Sequence, residues 1–369
     1  MRVSRFKAHT LVLFAALIIV YIVSGKGHTA EIQQRLLCHA IGIDRVGEKY
    51  LVSIQVFKPS EPGSDTPVDI TQSNVETVTA SGKTVAEAIA QCERKRGKTV
   101  FLGHLKLICL GKSVDASQPE ELFAFCLSDK TVCLSADVCA AEDSARELIQ
   151  TELTSEMISS ENFIDVIRHN VQLSRCARCR LIDMLSFVGK PDFALPEISV
   201  VKSDDEKSPP ELAIKRTALI ADGKFTGKGI DAACTGWFMT QPQCREANTA
   251  MEADNRSADV FVEKARCKSG VEIENGQLVC KVELEVTARL GSDAGERIRK
   301  NAEEKISQQL KKQIEDSFEM CEKRLGCDVF GVAKQMRSSF PKTYLRYENE
   351  IGEILGAARC VAIVKCKAV

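Results

Sequence analysis

VEIENGQLVCKVELEV, residues 271–286, sets two runs of alternating apolar and charged side chains on either side of an Asn-Gly pair. Asn275-Gly276 suits a type I′ turn, in which both central residues take positive φ and the flanking strands keep their natural twist. A two-residue loop there pairs Glu274 with Gln277 and, stepping outward, Val271 with Cys280. Side chains alternate across a strand. In this register Val271, Ile273, Leu278, Cys280, Val282, Leu284 and Val286 therefore share one face, and Glu272, Glu274, Lys281, Glu283 and Glu285 share the other. A slip of one residue would turn the whole apolar set to water. The same register sets Cys267 opposite Leu284 rather than Cys280, which disfavours a bridge between those two cysteines.

Toward the C-terminus, Ile298, Ala302, Ile306, Leu310, Ile314, Phe318 and Cys321 recur at spacings of four and three, which predicts a long helix with Gly326 as its stop. A helix-like piece over 344–355 leads into a final strand, in which Cys360, Ala362, Val364 and Cys366 alternate with Lys365 and Lys367. Hairpin, helix and strand are expected to pack as an α+β layer. Toward the N-terminus, Asp222-Gly223 between 212–221 and 225–233 predicts a second hairpin, followed by a polar stretch over 241–257. KSDDEKSPP, 202–210, has the composition of a linker. Before it, 40–44 and 50–57 read as a hairpin, 59–67 as a loop, 84–95 as a helix and 100–110 as one buried strand. A capping box at Ser117 is expected to open a helix containing Leu122, Phe123 and Cys126, with further helices over 142–150, 160–171 and 180–188. The expected fold class is α+β and multi-domain, with mixed or antiparallel sheets and packed helices. Its expected units are an N-terminal α+β domain over 28–201, a small β-rich middle domain over 211–257, and a C-terminal domain over 258–369 with a β-hairpin, long helix and final strand.

Composition narrows the function. Hydrophobic residues make up 44% of the 369 and charged residues 27%, the balance of a folded chain rather than a disordered one. A net charge of −1 and 5% aromatics give no global pull toward nucleic acid and no obvious stacking surface for bases. Segment 1–25 departs from this average: Arg2, Arg5 and Lys7 precede a run without charge over 11–23. That is the pattern of a signal peptide or an N-terminal membrane anchor, with Val23 and Gly25 at the positions a signal peptidase reads. The 16 cysteines show no pairing scheme, and Cys176-x-x-Cys179 lacks the second pair a structural zinc site uses. Most are expected to pack as small apolar side chains.

Chemistry-bearing motifs are incomplete. Three GK-[ST] triplets begin at Gly82, Gly97 and Gly111, but the position of the earlier P-loop glycine holds Thr77, Cys92 and Lys106. Cys38 and His39 are neighbours on a strand and point apart, so they form no nucleophile–base pair. His104, beside Gly103, reads as a structural histidine. The carboxylates lie on solvated faces, and basic residues form no stripe. No catalytic, cofactor-binding or metal-ligating residue is assigned, and no cofactor is expected.

Several segments in order resemble the Ger(x)C family, the C subunits of spore germinant receptors. They are Glu31-Ile32 with Ala40-Ile41-Gly42-Ile43-Asp44 and its partner Tyr50-Leu51-Val52; Gly82-Lys83-Thr84-Val85-Ala86-Glu87-Ala88-Ile89 leading to Phe101-Leu102-Gly103-His104-Leu105-Lys106; 218–227 with Asp222, Lys224 and Gly227; and Asp328-Val329-Phe330-Gly331 with Phe340-Pro341-Lys342 beyond it. The resemblance implies a non-enzymatic subunit of a membrane-associated receptor that triggers germination, partnered by membrane-embedded A and B subunits and the membrane surface, with no nucleic acid. It implies export to the outer face of the spore inner membrane. One position departs from the family: its lipobox ends in an acylated cysteine, and here Lys26 follows Val23-Ser24-Gly25. Anchoring is then expected through the N-terminal segment or through the partners. The competing reading is an exported solute-binding protein acting alone, which needs a formed pocket with converging polar groups; an exported hydrolase using Cys or His chemistry is a third.

Overall fold

The computed structural model describes residues 34–58, 74–151, 159–201, 210–253, 256–291 and 301–369; segment 1–25, the 59–67 loop, the 202–209 stretch and Ile298 lie outside the described residues. Gly47, at φ +61°, turns β1 (Arg35–Val46) back onto β2 (Lys49–Phe57), and β3 (Val75–Gly82) pairs with β2. The chain crosses through helix α1 (Val85–Arg96) to β4 (Thr99–Phe101) and β5 (Leu107–Leu110), both parallel to β1. The single strand expected over 100–110 is thus two, separated by a 3₁₀ turn at Leu102–His104. Next come β6 (Asp137–Ala141), helices α2 (Ala145–Gln150) and α3 (Ser159–Gln172), β7 (Cys179–Arg180), β8 (Phe193–Val201), β9 (Glu211–Ala221) and β10 (Lys224–Asp231). The result is one mixed sheet in the order β10-β9-β8-β6-β5-β1-β2-β3, with β4 and β7 paired to β1 and β6.

The middle of this sheet is buried on both faces. Ile108, Leu110, Val138 and Ala140 join a core on one side with Cys92 and Phe123; Leu107, Cys109, Cys139 and Ala141 join another with Phe163 and Trp237. Strands covered on both faces read as apolar runs without alternation, as LICL in β5 does. Two expected features of this region differ. Ser117 caps no helix: its N–H goes to Asp115 Oδ1 at 2.9 Å, and two short helices, Pro119–Leu122 and Ala124–Ser128, form instead of one. The helix expected over 180–188 shortens to Leu181–Leu185.

The second sheet has the order β11 (Ala247–Ala253), β12 (Arg256–Glu274), β13 (Gln277–Leu290), β14 (Arg359–Ala368), the last pair parallel. Its central hairpin has the register expected from the Asn-Gly turn, with Glu274 opposite Gln277, Val271 opposite Cys280 and Cys267 opposite Leu284. Residues of the expected middle unit hydrogen-bond into both sheets: β9 and β10 into the first, β11 into the second. Helix α4 (Ala302–Phe318) covers the apolar face with Ile306, Leu310 and Ile314, then continues as a π-helical turn, Glu319–Arg324, before Gly326 at φ +61°. Helix α5 (Val332–Ser339) and the short helices Pro341–Tyr347 and Ile351–Ala357 complete the cover. Ile273, expected on the apolar face, is 44% exposed beside the turn, while Val279 on the charged face is fully buried. Val279 lies between Glu272 and Arg359 in register, and the ion pairs Lys281–Glu272 and Arg359–Glu274 are placed to lay their aliphatic stems over it.

Candidate functional site

Cys38, His39 and His104 come first, as the residues nearest to a reactive pattern in sequence. A register shift between Cys38 and Ala40 makes β1 bulge at His39. The His39 ring stacks on His104 with centroids 5.8 Å apart; Phe101 meets His104 edge-on, and Arg35 lies 5.0 Å over Phe101. His39 Nδ1 is buried without a partner. Burial first, then the nearby His104 and Lys106, holds His39 below the ordinary imidazole value, so it rests neutral. Lys106 turns to Glu161, 2.7 Å away. Cys38 belongs to the opposite core, where burial pushes its thiol far up and Sγ donates to Ala40 O. A thiol held protonated is a poor nucleophile. The structure brings the two histidines together and separates both from the cysteine.

The family-like segments lie at helix ends and tight turns. Gly42 faces α2 so closely that a Cβ would stand 2.9 Å from Ala145 O. Two residues on, Asp44 accepts the N–H groups of Ala145 and Arg146, at 2.9 and 2.8 Å, and the Ser144 hydroxyl. One carboxylate from β1 therefore caps a helix about a hundred residues away, where the dipole favours negative charge. Thr84 caps α1 through the Glu87 N–H, and the Glu87 carboxylate reaches back to the N–H of Lys83, the residue before the cap. Asp222 and Gly223 both have positive φ and close the β9–β10 turn.

Asp328, from Asp328-Val329-Phe330-Gly331, anchors a seam between the two sheets. Its carboxylate accepts the Val332 and Ala333 N–H groups at 2.7 and 2.8 Å, opening α5. Its own N–H goes to Asp192, whose other oxygen takes the Asp222 N–H of the β9–β10 turn. Glu322, brought inward by the π-helical turn, accepts the Phe330 N–H at 3.1 Å. Burial above all, then the Asp328 charge, raises the Glu322 carboxyl well above its usual value. Glu322 Oε2 is buried without a hydrogen-bond partner, and the Glu322 carboxyl, when protonated, can donate to Asp328. This cluster, invisible to periodicity because its members come from three distant segments, can hold a proton and fix a junction.

All 16 cysteines are free thiols, most of them buried. Among the described residues, no three His, Cys, Asp or Glu side chains are placed to share a metal ion. One cleft of about 270 Å³ opens at the carboxyl ends of β6 and β8, lined by Glu142, Asp143, Ser144, Glu147 and Ser199 among others. Among the described residues that line it, none is cationic.

Two family models match the chain in order: a spore germination protein N-terminal domain over residues 28–200, and a spore germination B3/GerAC-like C-terminal domain over residues 215–353. Among solved structures, the fold is similar to the crystal structure of the GerBC protein, with a TM-score of 0.54 and 14% identity over 89% of this chain and 96% of that one. At that identity the likeness speaks to fold alone. Comparison with curated proteins finds no match.

Proposed function

The chain belongs to the spore germination GerAC family, and from that premise we propose that it is the C subunit of a nutrient germinant receptor, a non-catalytic part of the complex that triggers spore germination. The observation that carries this reading is the ordered match of both family models across 28–200 and 215–353. The site geometry supports it: among the described residues, the family-like motifs spend their polar groups on capping, turns and the seam at Asp328. Its partners are membrane-embedded A and B subunits. It sits on the outer face of the spore inner membrane, held by segment 1–25 or by those partners, because Lys26 stands where the family's lipid-bearing cysteine would be.

A tagged copy purified from spore inner membranes, together with a germination assay on the deletion strain, tests the reading. Recovery of two membrane partners and a nutrient-specific germination defect is the expected result. A monomer free of membrane, from a strain that germinates normally, refutes it.

A further inference from the structure

The face of the second sheet turned away from α4 carries charged rows that no ion pair among the described residues uses. Val282, Leu284 and Val286 of β13 are buried in the core beneath α4, so the residues alternating with them face outward. Strand register sets three outward rows: Lys264, Thr287 and Lys367; Arg266, Glu285 and Lys365; Lys268, Glu283 and Ile363. With strands about 4.8 Å apart and rows about 6.6 Å apart, the array covers roughly 10 Å by 13 Å. All seven charged residues are exposed. Five positive against two negative charges leave a surplus of three.

The surplus is local. Nearer the turn on the same face, Lys281 pairs with Glu272 at 2.6 Å and Glu274 at 3.0 Å, and Arg359 pairs with Glu274. None of Lys264, Arg266, Lys268, Lys365 and Lys367 makes an ion pair among the described residues. Lys264, Arg266, Glu285, Thr287, Lys365 and Lys367 line a shallow depression of about 320 Å³, and beside it Ile363 is 46% exposed.

We propose that this face docks on an anionic phospholipid surface, its five cations meeting headgroup phosphates and Ile363 entering the interface. Charge complementarity argues for lipid. Four of the five cations are lysines, flexible point charges that accept phosphates in any orientation, unlike an arginine fork built for one anion. The face is an open sheet surface rather than an element shaped to enter a nucleic-acid groove, and it lacks the aromatic platform that stacks bases. The whole chain has a net charge of −1, so attraction confined to this face orients the molecule on the membrane. The inference rests on the membrane-associated reading above for its supply of lipid, and its test is separate from that reading.

The full chain is floated with vesicles of phosphatidylcholine alone and of phosphatidylcholine with phosphatidylglycerol, at low and high salt. Each Lys or Arg near an anionic surface contributes enough that K264Q/R266Q/K365Q/K367Q is expected to bind the anionic vesicles at least about tenfold more weakly than wild type at low salt. The gap closes at high salt as the charges are screened, and binding to neutral vesicles is the same for both. K228Q/K312Q/K334Q, exposed lysines elsewhere, binds as wild type. Equal anionic binding by the quadruple variant and wild type overturns the proposal, and so does an equal loss in the control variant, which would make the attraction diffuse. Unchanged lipid binding with loss of a co-purified partner also overturns it and gives the face to an acidic protein. Failure of the receptor reading shows instead in co-purification and germination, in which these vesicles play no part.

Discussion

At the scale of single residues, the polar groups with the most partners are structural hinges of the fold. Asp44 is 7% exposed and meets three donors, and Asp328 and Glu322 share one buried site. The pH dependence of that site follows from its sign. A carboxyl raised in the folded state binds its proton more tightly there than in the unfolded chain, so its contribution is fully present below the unfolded value. For Glu322 the contribution is lost as pH rises from 4.5 through the raised folded value, and Asp328 and Asp192, also raised by burial, act in the same direction. Glu322→Gln keeps an acceptor for the Phe330 N–H and removes the titration. Its melting temperature is expected to exceed that of wild type at about pH 8 and to converge with it near about pH 4. Calorimetry at the two pH values checks this; a constant offset across the range would show that Glu322 does not hold the proton.

Elements show how an exposed edge is managed. β14 ends the second sheet, and the N–H groups on its free side would otherwise face water or another strand. Side chains of α4 take them: Glu303 accepts from Ala368, Ser307 from Cys366 and Glu315 from Ala362. The two elements run antiparallel with matched lengths, since residues 303 to 315 rise about 18 Å along a helix and 362 to 368 about 20 Å along a strand. One face of the helix therefore stands in for a neighbouring strand. E303A/S307A/E315A is expected to cost about 2 kcal/mol and to speed hydrogen exchange at the 362, 366 and 368 amides. Amides of β13 should keep their protection. Uniform loss across the sheet would mean that α4 matters only as apolar cover.

The whole molecule is held together by a third core. Trp237, the single tryptophan, is fully buried between Phe238 and Phe330, with ring centroids 5.0 and 6.4 Å away. Ile214, Leu219 and Ile230 of the first sheet join the same core as Cys321 and Cys327, which follow α4. Gly236 packs so near α4 that its Cβ would stand 2.6 Å from Leu310 O. Apolar contact and the Asp192–Asp328 link thus join the sheets at one place. Trp237 fluorescence and far-ultraviolet circular dichroism are expected to report one coincident urea transition. Separate midpoints would show that the sheets unfold independently.

The β12–β13 register, the Asp222-Gly223 turn, the α1 helix and the α4 stripe could all be read from the chain, because each is decided by residues within a turn or a few positions of one another. Strands β6, β8 and β11 could not. DVCAA is too short to alternate, FALPEISVV holds Pro196, and ANTAMEA lacks β-branched residues other than Thr249. Their strand state comes from backbone pairing with partners distant in sequence. The same holds for Asp44 on α2, for the Glu322–Asp328–Asp192 cluster, and for the charged rows of the second sheet. Local patterns specify the elements and the family; which side chains meet across them is decided only when burial brings remote segments into contact.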